Sequence, residues 1–332
     1  MRRFTLLFLA AAACSSSHSS TVDGPPGPDG PYDPGGDAAT DTTSGGVKRS
    51  IFIIPMENEP SSAIYGNTTD APYINSLMPM AAYATKFQDE LPALPSEPHY
   101  IWMEAGTNQF SDTSFTNDND PSGSHSTAST AHLTAQLDAA GVTWTSYQQG
   151  MTAGTCPVRS TGVYAAKHDP MVFFQDISGA TPSSSNTGCA AHHKPYSAFA
   201  TDLMSPETMA QYVFITPDLC HDMHGDSACP QGTNVAANIQ AGDTFLAQEL
   251  PRILDYANAH DGVVLVVWDE GDSSNLVPFL ALGPRIKTGA SGTTYSHSSQ
   301  LKSIEEILGV PVLSTVSSAN DFADLFQPGM FP

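Results

Sequence analysis

Basic residues are scarce. Twelve lysines and arginines stand against 34 aspartates and glutamates in 332 residues, a formal net charge of −22 at pH 7. A surface of that sign repels nucleic-acid backbones and anionic membranes, so nucleic-acid binding drops out of the candidate functions. An anionic substrate would need local help, from a metal ion or from one of the few His and Lys side chains. Long apolar runs are also missing: past the N-terminus nothing approaches the roughly 20 apolar residues that cross a bilayer. Charged residues make up only 14% of the chain, with 40% hydrophobic and 9% aromatic. Such a composition builds a globular core and excludes extended disorder as the general state.

Cysteine is sparse too, with five in all. The first, Cys14, closes an export-like segment: basic Met1-Arg2-Arg3, an apolar run from Phe4 to Ala13, then Cys14 before three serines. Residues 1–14 therefore read as a signal peptide ending in a lipobox. The expected location is the cell envelope, with membrane attachment through a lipidated Cys14, or the medium if the segment is simply cleaved. Cys156, Cys189, Cys220 and Cys229 then form an even set in an oxidising compartment, where disulfides are the default. Three connectivities are open, and the local pairing of Cys156 with Cys189 and Cys220 with Cys229 is preferred. Residues 15–46 are Ser, Thr, Asp, Gly and Pro without apolar period and read as a flexible tether. Residues 47–332 are expected to form one domain, and a monomer.

Within that domain, short apolar runs alternate with helical patterns. Ser50 to Met56, Val142 to Tyr147, Tyr212 to Thr216, Val263 to Trp268 and Pro278 to Leu282 have the length and composition of buried strands. Ala71 to Phe87, Ala128 to Ala140, Ala241 to His260 and Gln300 to Leu308 read as helices. Strands apolar throughout, alternating with helices, predict an α/β fold: a central, mostly parallel sheet with helices on both faces. Its ligand site should lie beyond the carboxyl ends of the strands.

Polar clusters fall at those ends. The first strand runs into Glu57-Asn58-Glu59, the Tyr212 strand into Asp218, Asp222 and His224, and the Val263 strand into Asp269-Glu270-Gly271-Asp272. One such carboxylate reads as a helix cap or a solvated loop. Three sets converging on one sheet edge repel one another, and a bound cation is the usual remedy.

Six motifs occur in order: Glu57-Asn58, Pro95-Ser96-Glu97-Pro98-His99-Tyr100, Lys167-His168-Asp169-Pro170, Thr216-Pro217-Asp218 with Asp222-Met223-His224, Asp269-Glu270-Gly271, and Tyr295-Ser296-His297. Together they resemble the phosphoesterase family that joins phospholipases C with secreted acid phosphatases, within the alkaline-phosphatase-like superfamily. The resemblance spans Ile51 to Gly309 and is nearest to the acid phosphatase branch.

The resemblance implies an alkaline-phosphatase-like fold and an exported, metal-dependent phosphomonoesterase working through a phosphoserine intermediate. Ser96 is implied as nucleophile, at a helix start where the dipole favours an alkoxide. A bare N-cap is the competing role for that serine. Glu57, Asn58, Asp269 and Glu270 are implied ligands of one divalent metal, with Asp218 a further candidate. All-oxygen ligation suits calcium, magnesium or manganese, with zinc not excluded. His168, His224 and His297 are implied catalytic residues, and His99 and Asp222 implied contacts to substrate. The expected substrate is a small phosphate ester or a phosphoinositide. A phospholipase C-type phosphodiesterase and an inactive ligand-binding lipoprotein are the alternatives. The sequence departs from the family pattern at Glu59, His99 and His221. Glu59 and Asp272 are doubtful ligands; His125, His192 and His193 read as exposed, and Asp112 to Asp120 as a solvated loop.

Overall fold

The computed structural model describes residues 49–271 and 274–331. The signal peptide, Cys14, the tether and Asp272 lie outside the described residues. Uninterrupted apolar runs build the middle of the domain. The strands are β1 (Ile51–Met56), β2 (Ala82–Ala84), β3 (Phe87–Gln88), β4 (Trp144–Gln148), β5 (His193–Pro195), β6 (Tyr212–Thr216), β7 (Val263–Trp268), β8 (Leu276–Val277), β9 (Phe279–Leu282), β10 (Gly289–Ser291) and β11 (Tyr295–Ser296). Eight of them form one sheet in the order β10-β2-β9-β7-β1-β6-β4-β5, and β11-β3-β8 form a small second sheet. From β7 to β5 every pairing is parallel, while β9 runs antiparallel to both β7 and β2. Every residue of β1, β6 and β7 is buried, which requires cover on both faces. The α/β class with a mostly parallel sheet stands as expected.

The main departure lies before β3. The helix expected over Ala71 to Phe87 ends at Leu77, having begun at Pro72, and the chain continues into β2 and β3. Pro79 prevents the helix from continuing, and Ala82–Ala84 bridge β10 and β9. The other expected helices exist with shifted starts: Leu133–Ala140, Val235–Ala259 and His297–Leu308. The disulfides are Cys156–Cys189 and Cys220–Cys229, the local pairing. Among the described residues no helix is long and apolar enough to cross a membrane.

Candidate active site

The parallel register brings the strand ends together. β1 delivers Glu57 and β7 delivers Asp269 at one level, and the Asp269 N–H donates to the Met56 carbonyl (3.0 Å). The Glu57 N–H donates to the Asp222 carbonyl (2.8 Å), drawing in the loop that follows β6. Asn58 adopts a left-handed backbone, φ 51°, which Asn tolerates better than most residues. That turn lets its N–H donate to Asp269 Oδ1 (3.0 Å).

Ser96 is the first residue of the Ser96–Ala105 helix, and the N-cap position belongs to Pro95. The serine is therefore not a cap. Its Oγ lies 3.0 Å from Glu57 Oε2 and 3.1 Å from Glu270 Oε1. One hydroxyl hydrogen serves only one of these carboxylates at a time, so the other approach needs a proton on the carboxylate or a cation among the oxygens. The Asn58 side-chain amide faces the same group, with one terminal atom 3.0 Å from Glu57 Oε2 and 3.3 Å from Asp269 Oδ1. As nitrogen that atom donates to both; as oxygen it joins them as another donor to a cation.

The electrostatics carry the same signature. Burial, then the charges of Glu57 and Glu270, push Asp269 well above the usual carboxylate range. Burial raises Glu270 to about 7, with His99 opposing and Glu57 reinforcing. Glu57 is fully buried, which acts to raise its pKa, yet His168 when protonated, Lys167 and His224 bring it below the ordinary value. Crowded buried carboxylates with a serine oxygen and an amide at their centre are a donor set that fits a hard divalent cation. Glu57, Asn58, Asp269 and Glu270 are the residues that would hold it.

His168 stacks on Tyr100, with centroids 4.8 Å apart and planes at 13°. Its Nε2 is 3.3 Å from Glu57 Oε1 and its Nδ1 3.8 Å from Asp222 Oδ2. Burial lowers its pKa to about 4, so the ring is neutral near pH 7. Glu57, His168 and Asp222 form a second buried group with metal-ligating atoms, and burial followed by Glu57 drives Asp222 well up. His224 is exposed, holds the Gly225 carbonyl through Nδ1 (2.6 Å), and donates its backbone N–H to Asp222 Oδ1 (2.8 Å).

Three expected residues stand back from the centre. His99 also groups with Asp269 and Glu270, but both its nitrogens are engaged, by Asp89 Oδ1 (2.8 Å) and the Pro95 carbonyl (2.9 Å). His297 is buried with Nε2 on the Trp268 carbonyl (3.0 Å) and packs edge-on against the His99 ring at 6.2 Å. It braces the strand end that carries Asp269. Asp218 receives His221 Nδ1 (2.6 Å) and the Cys220 N–H (3.0 Å) on one oxygen.

Several groups escaped sequence reasoning. Tyr100 donates to Glu57 Oε1 (2.5 Å). Glu97 is buried and accepts from the Asn119 N–H and His125 Nε2, each at 2.7 Å. His125 is thus a partner of the Ser96–Ala105 helix, and His193, expected at the surface, is buried 3.2 Å from Asp169. Asp118 bonds the Glu97 N–H and Lys167, so that part of the Asp112–Asp120 run is built into the site. The Ser-Glu-Pro spacing was the one available signal for Glu97; the remaining pairs join distant segments and leave no local trace.

The sequence profile of the phosphoesterase family matches residues 86–311. The phosphatidylinositol-3-phosphatase of Mycobacterium tuberculosis is 28% identical over 278 residues, covering 83% of this chain and 82% of that protein. The phosphate-repressible acid phosphatase of Penicillium chrysogenum is 28% identical over 191 residues, 53% of this chain and 42% of its own length. This chain spans about half the length of the fungal acid phosphatases it matches. Among solved structures, a phosphonate monoester hydrolase from Silicibacter pomeroyi superposes with a TM-score of 0.53 at 11% identity, over 82% of this chain and 75% of that one. An alkaline phosphatase superfamily protein from Vibrio parahaemolyticus gives 0.52 at 10% identity, over 81% and 68%. At such identities the likeness shows the fold, which is alkaline-phosphatase-like.

Proposed function

Because this chain belongs to the phosphoesterase family, as a hydrolase acting on phosphoric ester bonds, we propose that it is an exported, metal-dependent phosphomonoesterase working through Ser96. The observation that carries this reading is the Ser96 hydroxyl at a helix start, within 3.1 Å of carboxylates from two different strands. Ser96 Oγ passes its proton to the Glu270 carboxylate, 3.1 Å away, and attacks phosphorus in line, so that the Oγ–P bond forms as the bond to the leaving alcohol oxygen breaks. His224 holds the Gly225 carbonyl through Nδ1–H, so as the imidazolium it also carries a proton on Nε2, and that proton goes to the leaving oxygen. Water then gives a proton to the neutral His224 and attacks the phosphoserine; the Oγ–P bond breaks, inorganic phosphate leaves and the serine takes its proton back from Glu270. A divalent cation among Glu57, Asn58, Asp269 and Glu270 would supply Lewis-acid neutralisation of the charge on the serine and phosphoryl oxygens. Asp222 holds the His224 backbone, and His99 and His297 shape the wall behind Glu270 and Asp269.

The substrate class is a small phosphate monoester or a phosphoinositide, a reading supported by the names of the bacterial and fungal relatives. Export is supported by the two disulfides, which persist in oxidising compartments. The test is a panel of p-nitrophenyl phosphate and its phosphocholine diester with and without chelator, on wild type and on Ser96→Ala. Monoester turnover that chelator abolishes, and that falls more than about 1,000-fold in the variant, is expected. Unchanged turnover in Ser96→Ala sinks the mechanism, and preference for the diester sinks the monoesterase assignment.

A further inference from the structure

One carboxylate bridges two groups beside the nucleophile. Asp118 Oδ1 accepts from the Glu97 N–H (3.1 Å), in the first turn of the helix that Ser96 opens, and Asp118 Oδ2 accepts from Lys167 Nζ (2.5 Å). The two oxygens of one carboxylate thus bridge the Lys167 ammonium and the helix start. An amide N–H from a helix first turn and a lysine ammonium both bind phosphate oxygens, and two oxygens of a phosphate can bridge such a pair as the two oxygens of a carboxylate do. From this geometry we propose that Lys167 and the Glu97 N–H are a receptor for phosphoryl oxygens, and that Asp118 is a resident stand-in which phosphate displaces. The proposal rests on Ser96 being the attacking residue, since the receptor adjoins it.

Four observations favour a stand-in over a fixed support. The Asp118 side chain is 33% exposed against 18% for Lys167, so the carboxylate has a route to water while the ammonium stays covered. The loop does not depend on Asp118 for its position. Asn119 is held by Glu97, and Asp120 by the Ser160 hydroxyl (2.5 Å) and N–H, so the Asp118 side chain can swing out alone. The next residue shows an independent demand for a ligand: His168 Nε2 is buried without a hydrogen-bond partner among the described residues, close to Glu57 but not aligned to bond it. Finally, Lys167 feels the centre directly. Burial acts to lower its pKa, but the charges of Glu57, Asp118 and Asp269 more than offset that. Arg49, Arg252, Arg285 and Lys194 are by contrast each paired with an acid outside the site.

The test is calorimetric titration of inorganic phosphate into Ser96→Ala protein loaded with the metal that supports wild-type turnover. Asp118→Asn, Lys167→Met and, as a charge control, Asp120→Asn are each added to that background, with thermal midpoints checking the fold. Asp118→Asn should tighten phosphate binding about tenfold, Asp120→Asn should leave it unchanged, and Lys167→Met should weaken it about tenfold. Weaker or unchanged binding in Asp118→Asn would mean that the carboxylate merely holds Lys167, and overturns the proposal. Equal tightening in Asp118→Asn and Asp120→Asn reduces the effect to net charge and overturns it as well, as does unchanged binding in Lys167→Met. The nucleophile assignment fails separately, through residual turnover in Ser96→Ala, because the titration reads bound product and not the reaction.

Discussion

The far end of the Ser96–Ala105 helix is anchored by a buried charge network whose worth depends on pH. His132 is fully buried and stacks on Phe174 at 3.9 Å. Its Nδ1 contacts Glu104 Oε1 (3.0 Å) and its Nε2 contacts Asp176 Oδ2 (3.0 Å), an arrangement that only the doubly protonated ring satisfies with two donors. Burial opposes the charge, but Asp176 and Glu104 outweigh it and raise the pKa from 6.5 to about 9. A pKa raised in the folded state contributes stability that is complete below the unfolded value and is lost as pH rises through the folded one. Here the loss falls between pH 6.5 and about 9, and at about 1.4 kcal/mol per pH unit it amounts to about 3 kcal/mol. His132→Gln keeps the Thr134 N–H and hydroxyl on Glu104 (2.7 and 2.6 Å) and removes only the titrating ring. At pH 6 the variant should melt roughly 6 °C or more below wild type, taking about 2–4 °C per kcal/mol for a domain of this size, and the gap should close towards pH 9.5. Glu305, which burial raises to about 8, costs both proteins stability as pH rises from 4.5 to 8 and cancels from the difference. A gap that stays constant or widens with pH would refute the assignment of a charged His132.

Tyr100→Phe removes the donor to Glu57 Oε1 while keeping the ring stacked on His168. Affinity for a divalent metal, read by calorimetry, should fall about 10–100-fold, and unchanged affinity would remove Glu57 from the ligand set. Opening Cys156–Cys189, which closes 33 residues, should cost about 3.7 kcal/mol, against about 2.6 for Cys220–Cys229, which closes nine. Guanidinium unfolding of the two double serine variants measures both, and the reverse order would rule out chain entropy as the cause. Gly242→Ala should lower turnover despite a helix-propensity gain of up to about 1 kcal/mol, because the new methyl collides with Met223 and crowds Met56, the neighbours of His224 and Glu57. Wild-type turnover in that variant would show that the packing there tolerates the shift. With a net charge of −22, kcat/KM for a monoester dianion at saturating metal should rise severalfold as ionic strength goes from about 0.01 to 0.15 M and the screening length contracts from about 30 to 8 Å. A fall would mean that local attraction, not long-range repulsion, governs encounter.

What was legible in the sequence divides along the range of the interactions. β6 and β7 have the bounds their apolar runs suggest, and β1 starts one residue later, because a strand buried on both faces must be apolar without interruption. Once those runs are parallel neighbours, the residues just beyond them must meet, and Glu57, Asp269 and Glu270 do so around Ser96. Short edge strands carry no such signal. β2 and β3 hold three and two residues, too few to show a period of two, and the stretch reads as helix until Pro79 is weighed. Nor does charge type reveal engagement. Asp118 sits among polar residues that look solvated, yet its partners are 21 and 49 residues away, while Glu97 reaches 28 residues to His125. An acidic composition suggests carboxylates that face water, yet Glu57, Glu97, Glu104, Asp169, Asp222 and Asp269 are all buried, and composition alone does not mark them. The strand ends gather the crowded acids, and the long-range pairs then decide where the scarce positive charge goes. Lys167 reaches Asp118 and lies in the field of Glu57, so on the proposed reading its position, more than the number of basic residues, is what would admit an anion to so negative a protein.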